Sequence, residues 1–133
     1  MNRVFLVLMI VLGLAACKDK STLNLSDPLQ SGRGFIEESL KGNYDEAKKY
    51  MATDSTNTDY LERLKDFYKK MGESEKNGLK NANIIINGTE NISDSVVILN
   101  YSNTFKKIPS KVKLIKVNNE WRVDFKYTFS GNL

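Results

Sequence analysis

Residues 120–129 read Glu120-Trp121-Arg122-Val123-Asp124-Phe125-Lys126-Tyr127-Thr128-Phe129. Trp121, Val123, Phe125, Tyr127 and Phe129 alternate with Arg122, Asp124, Lys126 and Thr128. Alternation with a period of two predicts a β-strand with one apolar and one polar face. Aromatic and β-branched residues along one face need a cover, because an apolar sheet face must be packed away from water. What supplies that cover decides the fold.

Upstream of this strand, Asn118-Asn119 suits a tight hairpin turn, since Asn tolerates positive φ. A third strand precedes it over 111–117, and Pro109 turns the chain within 106–110. A second strand is expected over 95–105. Val97, Leu99, Tyr101 and Phe105 lie on one of its sides, and Asn100, Ser102 and Thr104 on the other. The β-branched run Ile84-Ile85-Ile86 marks a first strand over 81–88, with a turn through 91–94. Four consecutive strands with short connections predict an antiparallel meander.

The cover comes from residues 34–72. Phe35, Ile36, Leu40, Tyr44, Ala47 and Met51 recur at near-helical spacing, interrupted by Gly42-Asn43. Gly suits the residue just past a helix end and Asn can cap the next helix, so helices over 34–41 and 44–52 are expected. Leu61, Leu64, Tyr68 and Met71 form the stripe of a third helix over 59–72. Asp59-x-x-Glu62 is the expected capping box and Gly72 the stop. Residues 73–81 are expected to be a loop. The fold class is therefore α+β: N-terminal helices packed on a curved four-stranded antiparallel sheet, in one domain over 34–130.

The start of the chain carries a different message. Arg3, an apolar run from Val4 to Leu14, and the small residues Ala15-Ala16 before Cys17 have the layout of a signal peptide over 1–16. Leu14-Ala15-Ala16-Cys17 resembles the bacterial lipobox. That resemblance implies that Cys17 is the acylated first residue of a mature lipoprotein, anchored in a membrane of the cell envelope. In a Gram-negative cell that is the outer membrane or the cell surface. Two acyl chains suffice for stable anchoring where one does not. Residues 17–33 are polar, with Pro28 and Gly32, and are expected to be a lipidated cysteine followed by a flexible tether. Lys18-Asp19-Lys20 reads either as a sorting signal or as a plain spacer.

Composition excludes several chemistries. Cys17 is the one cysteine among 133 residues, so the chain offers no internal disulfide. Histidine is absent, which removes the commonest general base and metal ligand. No cofactor or metal site is expected. Net charge is +4, and Arg3 would leave with residues 1–16, giving +3. That lysine excess is too mild for a nucleic-acid partner, and none is expected.

The order of elements resembles small bacterial lipoproteins of unknown function in the nuclear transport factor 2-like, cystatin-like superfamily, a group defined only as a domain of unknown function. Phe35-x-x-x-x-Leu40-x-Gly42-Asn43-Tyr44-x-x-Ala47-x-x-Tyr50 is similar to their helical opening, and Val112 to Val123 to their closing hairpin with its Trp. Asn43 and Asn119 stand where the group more often has Asp and Gly. The resemblance implies a cone-shaped α+β roll whose open end holds a ligand in some relatives and side chains in many. It also implies pairing through the outer sheet face in many. Catalytic relatives place Asp or His with Tyr in an apolar cavity. Asp66, Tyr68, Tyr101 and Asp124 are the residues here that offer such groups, and no spacing pairs them.

Other features have plainer readings. Residues 77–133 carry eight Lys or Arg against four Asp or Glu, so the sheet half is basic. Lys106, Lys107, Lys111, Lys113 and Lys116 read as a patch for anionic lipid or an acidic partner, or as lysines that keep exposed strands soluble. Asp124, flanked by Arg122 and Lys126, reads as a solvated cross-strand pair. Tyr44, Tyr50, Tyr60, Tyr68, Tyr101 and Tyr127 read as core residues with hydroxyls at the rim. The sequence leads to a non-enzymatic, membrane-anchored binding module, its partner a small apolar ligand or an envelope protein. The alternatives are a cavity-type acid–base enzyme, or an envelope assembly factor that forms a homodimer through Val96, Ile98, Ile115 and Val117.

Overall fold

The computed structural model describes residues 22–129. The expected signal peptide over 1–16, Cys17 and the expected tether as far as residue 21 lie outside the described residues, as do residues 130–133. Four helices precede four strands: α1 (Pro28–Leu40), α2 (Tyr44–Lys48), α3 (Ser55–Lys70), α4 (Glu73–Lys80), β1 (Ile84–Ser93), β2 (Val96–Asn103), β3 (Ser110–Val117) and β4 (Glu120–Asp124). A 3-10 helix over Phe125–Phe129 follows. The strands form one open antiparallel sheet in the order β1-β2-β3-β4. The expected α+β meander is what the chain builds.

Helix α1 begins within the stretch expected to be tether. The Asp27 carboxylate accepts from Gln30 N at 2.9 Å, and Pro28 opens the helix, where its missing N–H costs nothing. Ser31 and Gly32 are buried, and Leu25 ahead of the helix is buried too. A Cβ at residue 32 would stand 2.7 Å from Leu99 Cδ2, so glycine is what lets α1 lie flush on the centre of the sheet. Ser31 Oγ donates to Trp121 O at 2.7 Å. The domain thus starts at about Leu25 and not at 34.

The other corrections are local. Met51 does not extend α2; it pairs in parallel with Val123. Helix α3 starts at Ser55 because Asp54, not Asp59, caps it, accepting from Asn57 N at 2.8 Å. Residues 73–80 are helix and not loop: Glu73 and Glu75 sit in the first turn and Lys80 in the last, as the helix dipole favours. Leu79 is buried, and Gly78 receives the Phe105 ring. β1 runs on to Ser93, and the turn falls at 94–95. The β3–β4 turn is the expected one, with Asn118 and Asn119 at φ 51° and 63°.

The core lies between α1 and the inner sheet face. Phe35 and Ile36 meet Val97, Leu99, Val112, Leu114, Trp121, Val123 and Phe125, joined by Met51 and Leu61. Phe35 and Phe125 rings stand 5.1 Å apart. Burial of each large side chain is worth about 1.5–3 kcal/mol. The apolar alternation of the last strand holds through Phe125 and then ends. Lys126 N donates to Asn57 Oδ1 at 2.6 Å and Thr128 Oγ1 to Lys111 O at 3.3 Å, within the 3-10 turns. Tyr127 is therefore half-buried beside Lys113 and does not continue the strand face.

Candidate functional site

The outer sheet face carries a depression of about 690 Å³, open to solvent. A register shift in β1 between Ile86 and Gly88 makes Asn87 a bulge residue, and bulges re-aim side chains. Asn87 meets the polar side of β2, where Asn100 and Ser102 lie, and Pro109, Ser110 and Lys111 complete the wall. Asn87 Nδ2 donates to Ser102 Oγ at 3.4 Å. Asn100 Nδ2 donates to Glu90 Oε1 at 2.8 Å, and Lys111 Nζ approaches the same oxygen at 3.5 Å. The amide donor first, and the lysine cation second, hold the Glu90 carboxyl below its ordinary pKa. The site is a set of amides and hydroxyls beside one ion pair. It offers hydrogen bonds in both directions.

A second polar cluster lies where α3 meets the end of β4. Asn57 is fully buried and every polar atom of its side chain is used. Its Nδ2 donates to Asp54 Oδ2 at 2.7 Å and to Asp124 Oδ1 at 3.1 Å, while its Oδ1 accepts from Lys126 N. Lys126 Nζ lies 2.9 Å from Asp124 Oδ1 and 3.3 Å from Asp54 Oδ2, and Lys113 Nζ lies 3.8 Å from Asp124 Oδ2. Asp124 is buried, which corrects the reading of a solvated pair: α3 and the 3-10 turn close over it. The Asn57 backbone N–H, then its amide and Lys126, keep Asp54 below the ordinary carboxylate pKa. The hydrogen bond to Asp124 in turn raises Lys126. Asp54 is held ionised and Lys126 protonated, so the cluster works as a fastening.

The remaining sequence candidates are scattered. Asp66 is exposed and pairs with Lys69 at 3.6 Å. Tyr68 meets the Tyr44 ring edge-on at 5.7 Å and packs against Gly42, whose φ is +77°. Tyr101 is on β2, paired with Ile86 and Ser110. Burial raises the pKa of both Tyr44 and Tyr101 hydroxyls; Tyr68 adds to the rise at Tyr44. Structure does not bring Asp66, Tyr68, Tyr101 and Asp124 together. Cys17 lies outside the described residues.

The five lysines do not gather into one patch. Lys106 pairs with Glu75 and covers the Phe105 ring, and Lys107 is exposed in the β2–β3 loop. Lys111 pairs with Glu90, Lys113 reaches Asp124 and the Tyr127 ring, and Lys116 lies over Trp121 at 5.8 Å. β3 is an interior strand, so its lysines guard no sheet edge. Of the Val96, Ile98, Ile115 and Val117 set, Ile98 is already buried and Val117 is exposed.

The residues that sequence reasoning missed are Asp54, Asn57 and Asn87. Asp54-x-x-Asn57 holds a capping signal, and Asn87 falls within the expected first strand, where the alternating pattern gives no sign of the bulge.

No family model and no curated protein matches the chain. Among solved structures it is similar to an NTF-2-like protein of unknown function from Shewanella oneidensis MR-1, with 13% identity and a TM-score of 0.54. The likeness covers 73% of this chain and 91% of that one. At that identity the likeness speaks to architecture: helices first, then an open antiparallel sheet closed against them, the α+β fold of an NTF-2-like protein.

Proposed function

We propose that this chain is an exported, lipid-anchored, non-enzymatic binding module of the cell envelope, held by Cys17 and acting through its outer sheet face. One observation carries the choice of face. The space between α1 and the sheet is filled, with Leu99, Val112, Leu114, Val123, Met51 and Leu61 at most 1% exposed, whereas an open depression of about 690 Å³ lies outside, on β1, β2 and β3. A small apolar ligand in the cone is therefore the weaker reading. A partner that hydrogen-bonds to Asn87, Asn100, Ser102 and Lys111 is the stronger.

Two measurements test this. Metabolic labelling with a fatty-acid analogue should mark the wild-type chain and not Cys17→Ser; label retained by the variant refutes the anchor. Mass spectrometry of material co-purifying with the protein should find a polar ligand or protein that Asn100→Ala with Lys111→Ala releases. Material bound equally by the double variant would refute the outer-face site.

A further inference from the structure

We infer that the tether turns the helix side of the domain toward the bilayer and holds the outer sheet face away from it. The inference rests on the reading of Cys17 as the acylated residue. It is carried by the path of the chain before α1. Leu25 is buried and its carbonyl accepts from Trp121 N at 2.7 Å, so the chain is fixed to the fold at that point. Upstream, Thr22 and Asn24 border a small depression of about 100 Å³ with Gln30, Arg33, Gly34, Glu37 and Tyr50. Ser31, Gly32, Phe35 and Ile36 are the buried side of α1, so Gln30, Arg33 and Glu37 lie on the side turned from the sheet. The chain therefore departs across the back of α1, on the face opposite the Asn87–Lys111 depression.

Length then sets the orientation. Five residue steps separate Thr22 from Cys17, and at about 3.3–3.6 Å per residue they span at most about 18 Å in any conformation. A domain of this size has a radius of gyration of about 13 Å, which makes it roughly 30 Å across. The reach is about half that width, too little to carry Cys17 round to the outer face. The bilayer that receives the acyl chains must lie beside the back of α1 and the adjoining α2. The charges there are balanced: Arg33 pairs with Glu37 at 3.6 Å and Lys49 with Glu46 at 2.8 Å, while Lys48 is exposed. Such a surface suits lying close to head groups and not entering the hydrocarbon. Leu23, exposed beside it, is the apolar residue nearest the anchor among those described. The outer face is left pointing away from the membrane, free for a partner.

The test uses the full lipidated protein in vesicles of phosphatidylcholine with phosphatidylglycerol. Cys17 is the chain's one cysteine and acylation blocks it, so an added cysteine takes a fluorophore alone. Lys48→Cys reports from the helix side and Asn87→Cys from the outer face; both positions are exposed. A quencher on the lipid head groups should dim the Lys48→Cys label several-fold more than the Asn87→Cys label. Twelve Gly/Ser residues inserted before Thr22 should abolish the difference. Equal or stronger quenching at Asn87→Cys in protein that floats with the vesicles overturns the orientation alone. Protein that does not float and carries an unmodified Cys17 overturns the anchor, and the orientation with it.

Discussion

The two edges of the sheet are finished in opposite ways. At β4 the chain seals its own edge: Trp121 N donates to Leu25 O, Val123 N donates to Tyr50 O at 2.8 Å, and Ala52 N donates to Val123 O at 2.9 Å. Asn57 and its ion cluster close the end of the same strand. At β1 no strand pairs on the far side among the described residues, and Ile85 and Ile92 are exposed. That edge is blunted by two register irregularities and the charge of Glu90, which disfavour pairing with another strand. One edge is closed by tertiary contacts and the other by local irregularity. The irregular one borders the depression: the irregularity that sets Asn87 into the site also disturbs the ladder.

The contrast can be broken most forcefully at Met51. It is fully buried against the sealed edge, so Met51→Ala should cost about 2–5 kcal/mol in chemical denaturation. Next comes Asn57→Ala, which removes one donor from the buried Asp124 carboxylate and the acceptor of the Lys126 N–H, with an expected loss of about 2–3 kcal/mol. A loss below about 0.5 kcal/mol would show that the cluster does not fasten β4. On the open edge, Ile85→Thr and Ile92→Thr should each stay within about 0.5 kcal/mol. Effects as large as that of Met51→Ala would mean that β1 is covered as β4 is.

Acid sharpens the same contrast by a smaller amount. Asp54 has a depressed folded pKa, so its contribution is present above the unfolded value near pH 4 and disappears as pH falls through the folded one. Wild type should lose stability over that interval, and Asp54→Asn should show a shallower decline there. Because the Asp54 side chain is 42% exposed, solvent screens much of the effect. Identical acid profiles would remove Asp54 from the fastening. Amide exchange gives the finest view: Trp121 and Val123 should exchange among the slowest amides, and unpaired β1 amides early.

Sequence periodicity reached the parts of the molecule whose burial follows apolar spacing. Val97 and Leu99, Val112 and Leu114, and Trp121 and Val123 announce an inner face two residues at a time, and Asn118-Asn119 announces its turn. Periodicity cannot register what is buried through tertiary partners. Ser31 and Asn57 are polar yet buried because Trp121 O, Asp54 and Asp124 satisfy them. Gly32 is small because Leu99 needs the space. Helix α4 has one buried apolar residue, Leu79, too few to show a stripe. The depression was half legible: Asn100 and Ser102 stand on the polar side of a recognisable strand, but only the β1 bulge brings Asn87 to them.

The bond from Ser31 to Trp121 joins residues ninety positions apart. A chain that emerges N-terminus first, from a ribosome or through a membrane pore, forms α1 long before the strand that α1 packs against exists. The core cannot close until nearly the whole domain has appeared. Contacts of such long sequence separation delay folding, because loop-closure entropy must be met before they form. The helices wait for the sheet, and the fold seals only after its last strand arrives.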